Sequence, residues 1–338
     1  MVENPGFGPR KNNKMKRTLF LILISFNICN SLKAQQNRHS DLDTLKTYQA
    51  TLEYDTKAEL GEGAFWNHKT SELYWIDILQ NQLHIYNPKT KVNRSFKTPS
   101  SIGTVVPTNK KDVALVALQD GVYTLNTGNS QTALFSDVER DIPSNRLNDG
   151  KCDPSGRLWV GSMAFNQAQN AAKLYMVDEK GKASLKKDSV TISNGIVWTK
   201  DKKTMYYIDT PTSEIKAYDY DNRTGEISNE RVAVKVDPNL GGPDGMAIDE
   251  NDNLWVGMWN GNAVIQFDSK TGKVLSRVDV PAHNITSCAF GGEDLDILYI
   301  TSVTIDMTDE EKAQFPKAGS VFKVKTDVKG VKSPFFRL

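Results

Sequence analysis

Leu73-Tyr74-Trp75-Ile76-Asp77 is a short apolar run closing on an acidic residue, and five later segments repeat its pattern with a small or acidic close. They are Val113-Ala114-Leu115-Val116-Ala117, Leu158-Trp159-Val160-Gly161, Met205-Tyr206-Tyr207-Ile208-Asp209, Leu254-Trp255-Val256-Gly257 and Ile297-Leu298-Tyr299-Ile300-Thr301. With Trp75, Leu115, Trp159, Tyr207, Trp255 and Tyr299 as equivalent anchors, the intervals are 40, 44, 48, 48 and 44 residues, the length of a four-stranded propeller blade. Most anchor runs lead into a second run of alternating character, such as Gln82-Leu83-His84-Ile85-Tyr86-Asn87. Turn residues such as Asp153-Pro154-Ser155-Gly156 fall where hairpins are needed. Such alternation bounded by turn residues reads as strands. Six small sheets cannot bury their faces alone, whereas packed radially they do so and leave only short edges. The predicted fold is all-β, a six-bladed β-propeller, closed by residues 51–56 adding a strand to the last blade. A β-solenoid is the rival, but its repeats are shorter and more regular.

Outward from the repeats, the N-terminus differs in kind. Met15-Lys16-Arg17 is basic, Leu19 to Ile28 is apolar, and Ser31-Leu32-Lys33-Ala34 offers a small-residue exit before Gln35. That is the layout of a secretory signal peptide, with too short an apolar run for a stable membrane span. The expected organisation is leader and signal over 1–34, a flexible segment over 35–50 and the propeller over 51–338. Met15 is an alternative start. The mature protein is expected to be exported to the periplasm or extracellular space, soluble and monomeric. Lys and Arg number 42 against 41 Asp and Glu, so nothing advertises nucleic acid or an anionic membrane as partner. Cys152 and Cys288 sit on distant repeats and are expected to be unpaired.

The repeats become unequal just before the anchors. Glu62-Gly63, Asn148-Asp149-Gly150, Asn194-Gly195 and Asp244-Gly245 each begin an inner strand, with Glu62, Asn148, Asn194 and Asp244 lying 13, 11, 13 and 11 residues before their anchors. Equivalent positions on radial blades converge on the channel at one face. Two carboxylates and two amides there are hard oxygen ligands for one divalent cation, with calcium first and zinc, magnesium or manganese as alternatives. Any one Asn-Gly or Asp-Gly alone reads more simply as a turn. Four in register favour ligands.

The segments Gly61-Glu62-Gly63-Ala64-Phe65-Trp66, Asn145-Arg146-Leu147-Asn148-Asp149-Gly150-Lys151, Ile192-Ser193-Asn194-Gly195, Pro243-Asp244-Gly245-Met246 and Thr286-Ser287-Cys288-Ala289-Phe290-Gly291-Gly292 resemble the regucalcin (senescence marker protein) and gluconolactonase family. The likeness runs in order from about Glu59 to the end. It implies that Glu62, Asn194 and Asp244 hold the metal, with Asn148 beside them, and that Arg146 contacts substrate. Some members carry a sugar-reading glutamate soon after the third-blade Gly-x-Met-Ala segment; here Gly161-Ser162-Met163-Ala164 leads to Phe165-Asn166, a departure that leaves the metal set intact and the sugar preference open.

The expected activity is hydrolysis of a sugar-acid lactone. The cation polarises the carbonyl and lowers the pKa of a water, Asp244 takes the water's proton, and Arg146 and Asn148 hold the ring or the developing oxyanion. A non-catalytic metal-binding propeller and a metal-dependent arylesterase or phosphotriesterase are the alternatives. His39, His68, His84 and His283 lie outside the converging set, which argues against a histidine-metal site or a Ser-His-Asp triad. The recurring tryptophans read as blade packing.

Overall fold

The computed structural model describes residues 45–338. Six antiparallel sheets form, and each inner strand packs against the inner strands of both neighbouring blades, so the ring closes. The inner strands, blades 1 to 6, are Gly61–Asn67, Ile102–Pro107, Asn145–Cys152, Ser193–Trp198, Gly242–Ile248 and Ile285–Gly291. The six anchors all lie on the second strands, and every one is at most 2% exposed. Their side chains fill the space between blades. Trp66 of blade 1, for instance, stacks on Tyr299 of blade 6 at 5.3 Å.

Ring closure follows the expectation, since Thr51–Tyr54 pairs with Val321–Lys325 as the outermost strand of blade 6. Closing the ring with a strand from the opposite end of the chain ties first and last residues into one sheet. One boundary needs correction. Residues 35–50 were expected to be a flexible segment, yet Lys46–Gln49 forms a fifth, edge strand on blade 5, beyond Val274–Asp279. Ala50 N–H donates to the Asp279 carbonyl at 2.9 Å, and the Tyr48 ring leans on Trp255. The exposed edge of blade 5 supplies unpaired backbone groups, and a Lys-Thr-Tyr-Gln run satisfies them without needing apolar residues of its own. The leader and signal expected over 1–34 lie outside the described residues.

Two further features escape the repeat pattern. Helix α1, Asp309–Gln314, interrupts blade 6 and is held at its start by a reciprocal capping box between Thr308 and Glu311. Past blade 6 the chain crosses the face where first and second strands are joined. Gly330 bridges to Asp249 of blade 5, and Phe336 bridges to Thr108 of blade 2. Phe336 is fully buried there. Cys152 and Cys288 are free and buried, and burial pushes the Cys288 thiol up to about 12.

His84, on the third strand of blade 1, stacks on Trp75 at 3.9 Å, and its Nδ1 lies 2.9 Å from Ser95 Oγ. Burial, helped by Lys97, holds it at about 4, well below the ordinary 6.5. The folded state therefore binds this proton less readily than the unfolded chain. His84 leaves stability intact above pH 6.5 and erodes it as pH falls from 6.5 towards 4, by up to about 3 kcal/mol. Urea midpoints between pH 7 and 4 should fall less steeply for His84→Gln than for wild type; parallel slopes would show that His84 is not a source of acid sensitivity.

Candidate active site

In blades 1, 3, 4 and 5 the inner strand carries an irregularity of register at the polar position: Glu62/Phe65, Leu147/Gly150, Ser193/Ile196 and Pro243/Met246. A bulge adds an unpaired residue and turns its side chain away from the alternation of the strand. That is how Glu62, Asn148, Asn194 and Asp244 reach the channel while their neighbours stay in the blade packing. The glycines after Asn194 and Asp244 are not turn residues. A Cβ on Gly195 would lie 2.7 Å from the Asp244 carbonyl oxygen, and one on Gly245 would lie 2.9 Å from that of Thr286. Glycine is required at these two positions because adjacent inner strands approach each other there.

All five residues singled out from sequence line one cavity of about 320 Å³. Arg146 Nη1 donates to Asn148 Oδ1 at 2.5 Å, and Asn148 Nδ2 donates to Asn194 Oδ1 at 3.1 Å and to the Ser193 carbonyl at 2.7 Å. Asn194 Nδ2 in turn donates to Thr210 Oγ1 at 2.7 Å, and Thr210 donates to the Pro243 carbonyl at 2.8 Å. This chain spans blades 3, 4 and 5 and locks both amides with their oxygens oriented. Thr210, on the turn after the second strand of blade 4, had no signal in the repeat spacing. Trp259, Met163 and Ile305 form apolar parts of the wall, and Gln167 joins them from the loop that follows the second strand of blade 3. Trp259 ends a second strand, where the repeat is no longer aligned, and sequence reasoning passed over it.

The electrostatics are those of a buried acidic pair that one buried arginine compensates only in part. Burial, with repulsion from Asp149, pushes the Glu62 carboxyl up to about 8, although the Gly63 N–H and Arg146 oppose it. Asp244 is raised well above the usual carboxylate range by burial and by Glu62. Arg146 is drawn down to about 10 by burial, opposed by the two carboxylates. Asp244 Oδ1 is buried and has no hydrogen-bond partner among the described residues. A buried, unpartnered carboxylate oxygen facing a second carboxylate and two oriented amides fits a hard divalent cation, which would satisfy the orphan and relieve the repulsion. No cluster of three or more His, Cys, Asp or Glu suited to a metal occurs among the described residues, so the amides are needed to complete the donor set.

A six-bladed propeller with acidic and amide side chains converging at one mouth of its channel defines the class of protein. A family model described as SMP-30/Gluconolactonase/LRE-like region matches residues 60–304, and the chain belongs to that family. It is 40% identical over 281 residues to a Bacillus subtilis protein with the provisional name sugar lactone lactonase YvrE, covering 83% of this chain and 96% of that one. Regucalcin of Danio rerio is 38% identical, with 81% and 94% covered. The crystal structure of a calcium-binding protein, regucalcin, from Agrobacterium tumefaciens superposes with a TM-score of 0.83 at 28% identity, covering 87% of this chain and 99% of that one.

Proposed function

We propose that the protein is a divalent-metal-dependent hydrolase of a sugar-acid lactone. The observation that carries this reading is the buried Glu62–Asp244 pair with its orphaned Asp244 oxygen, set beside a buried arginine in a cavity large enough for a sugar ring. The lactonase name of the Bacillus relative and the calcium-binding description of the Agrobacterium structure support it. Glu62, Asn194 and Asp244 would hold the cation, with Asn148 beside them. When bound, such an ion polarises the lactone carbonyl, lowers the pKa of a water and returns both carboxyls to the ionised state. Calcium suits the all-oxygen donor set best.

The chain's own residues divide the remaining work. Asp244 accepts a proton from the water whose oxygen adds to the carbonyl carbon. As the ring C–O bond breaks, the ring oxygen takes that proton back and leaves as a hydroxyl. Arg146, fixed by Asn148, donates to the oxygen on which negative charge builds. The apolar wall of Trp259 and Met163 covers one face of the ring and keeps bulk water from it.

Metal exchange on a panel of aldonolactones tests the reading. Hydrolysis should vanish with chelator and return with calcium or another divalent ion. Activity on phenyl acetate or a phosphotriester with none on lactones would move the function to the alternative esterase. No metal response at all would leave a non-catalytic propeller. Calcium at 100 times its Kd should stabilise the chelated protein by about 2.7 kcal/mol, read as a rise in Tm. Glu62→Gln should lose most of that rise. Arg146→Ala should keep the bound metal and lose lactone turnover by about 10²-fold or more; an unchanged rate would remove Arg146 from the chemistry. Export and cleavage near Ala34 are proposed on the leader alone; an intact mass retaining residues 15–34 in exported protein would refute the cleavage, and protein found only inside the cell would refute the export.

A further inference from the structure

The channel has a second mouth, and the inner strands lead to it. Two or three residues beyond the candidate ligands, about 10 Å along the strands, Ala64, Lys151, Val197 and Ala247 border a second cavity of about 330 Å³. The C-terminal strap forms its outer wall through Val331, Lys332, Ser333 and Pro334. The candidate ligands lie toward the starts of the inner strands and this space toward their ends, where the strap crosses, so the two cavities open to opposite faces of the propeller.

Its chemistry is the reverse of the first site. Four lysines border it, Lys151 from within and the exposed Lys200, Lys202 and Lys332 from the rim, and among the described residues no Asp or Glu lines it. Lys151 Nζ donates one hydrogen bond among the described residues, to the Met246 carbonyl at 2.7 Å, which leaves two of its three N–H groups for another acceptor. Trp198 lines the cavity with its ring, while its indole N–H is shielded from the cavity and has no acceptor among the described residues. Ile248, Phe290, Val331 and the rings of Pro154 and Pro334 make most of the remaining wall apolar, with Thr199 and Ser333 as its polar members.

We propose that this second cavity binds a small organic carboxylate with a flat apolar body, its two oxygens taken by the two free N–H groups of Lys151 and its body held against Phe290 beneath the C-terminal strap. One lysine charge with two free donors matches the single charge and two oxygens of a carboxylate, whereas a phosphate dianion would leave charge and oxygens unpaired against an apolar wall. The volume lies at the lower end of the range for small-molecule pockets, which limits the ligand to about the size of a bicyclic aromatic acid. The rim lysines draw an anion in and stay solvated.

The probe is 2-naphthoate, titrated calorimetrically into the calcium-loaded full chain, with neutral 2-naphthamide as its isostere. The acid should bind at least about ten-fold more tightly than the amide, a difference of about 1.4 kcal/mol. Lys151→Met should weaken the acid by a similar factor. Ser333→Trp alters only the strap and fills the space, so it should abolish binding even if Lys151→Met fails to fold. Glu62→Gln should leave the naphthoate Kd within about two-fold, because the donors for it lie at the other mouth. In protein labelled with 15N-tryptophan, the Nε1–H resonance lost in Trp198→Phe should move on adding naphthoate. Equal affinity for acid and amide, binding that survives Ser333→Trp, binding lost in Glu62→Gln, or no heat with millimolar naphthoate would each overturn the proposal.

Discussion

Asp244→Asn is expected to lower lactone hydrolysis by about 10³-fold while the propeller stays folded. The amide retains an oxygen for a cation, so bound metal should fall only in part; what it loses is the ability to take a proton from water. General-base catalysis contributes on the order of 10²–10⁴-fold, which sets the size of the effect. Folding should not suffer. Asp244 is raised well above the usual carboxylate range by burial and Glu62, so replacing it by a neutral amide removes an electrostatic cost rather than a stabilising pair. Rate on a responsive lactone, metal content and circular dichroism decide the matter. A variant with full metal and wild-type turnover would strip Asp244 of its role as base.

Trp255→Ala should destabilise the protein by about 3–5 kcal/mol, a large share of the stability of an ordinary domain. Trp255 is fully buried on the second strand of blade 5, with Phe290 of blade 6 edge-on at 5.5 Å and Tyr48 of the added strand at 6.2 Å. Its indole N–H donates to Asp249 Oδ2 at 3.0 Å, and Asp249 is itself fully buried with Gln266 as a second donor. Truncation therefore opens a cavity between two blades and strips one partner from a buried carboxylate. Trp75 at the equivalent place in blade 1 has no acceptor for its N–H among the described residues. Trp255→Phe should consequently cost more than Trp75→Phe, since only the former gives up a hydrogen bond. Denaturant midpoints measure both comparisons, and an unaltered midpoint in Trp255→Ala would contradict the packing described here.

The fold was legible because a propeller repeats its burial problem six times. Each anchor strand is buried on both faces, so it must be apolar throughout, and the interval between anchors counts the strands of one blade. Glu62, Asn148, Asn194 and Asp244 were legible as departures from that repeat, since a polar residue at a core position has no packing reason to be there. The same reasoning could not find Thr210 or Trp259. They come from second-strand ends and turns, where blades differ in length and position along the chain no longer reports position around the axis.

The amino-acid sequence by itself determined the number of blades, a closing strand within 51–56 and the acidic and amide residues that line one mouth of the channel, because each is written in local periodicity and residue type. Tertiary structure alone decided the rest: the bulges that turn those side chains inward, the hydrogen-bonded chain from Arg146 to Pro243, the seat of Lys46–Gln49 on blade 5 and the strap that walls the second cavity. Each of these depends on which backbone groups are left unpaired at a distant edge or face once the ring has closed, and nothing local to those segments records that.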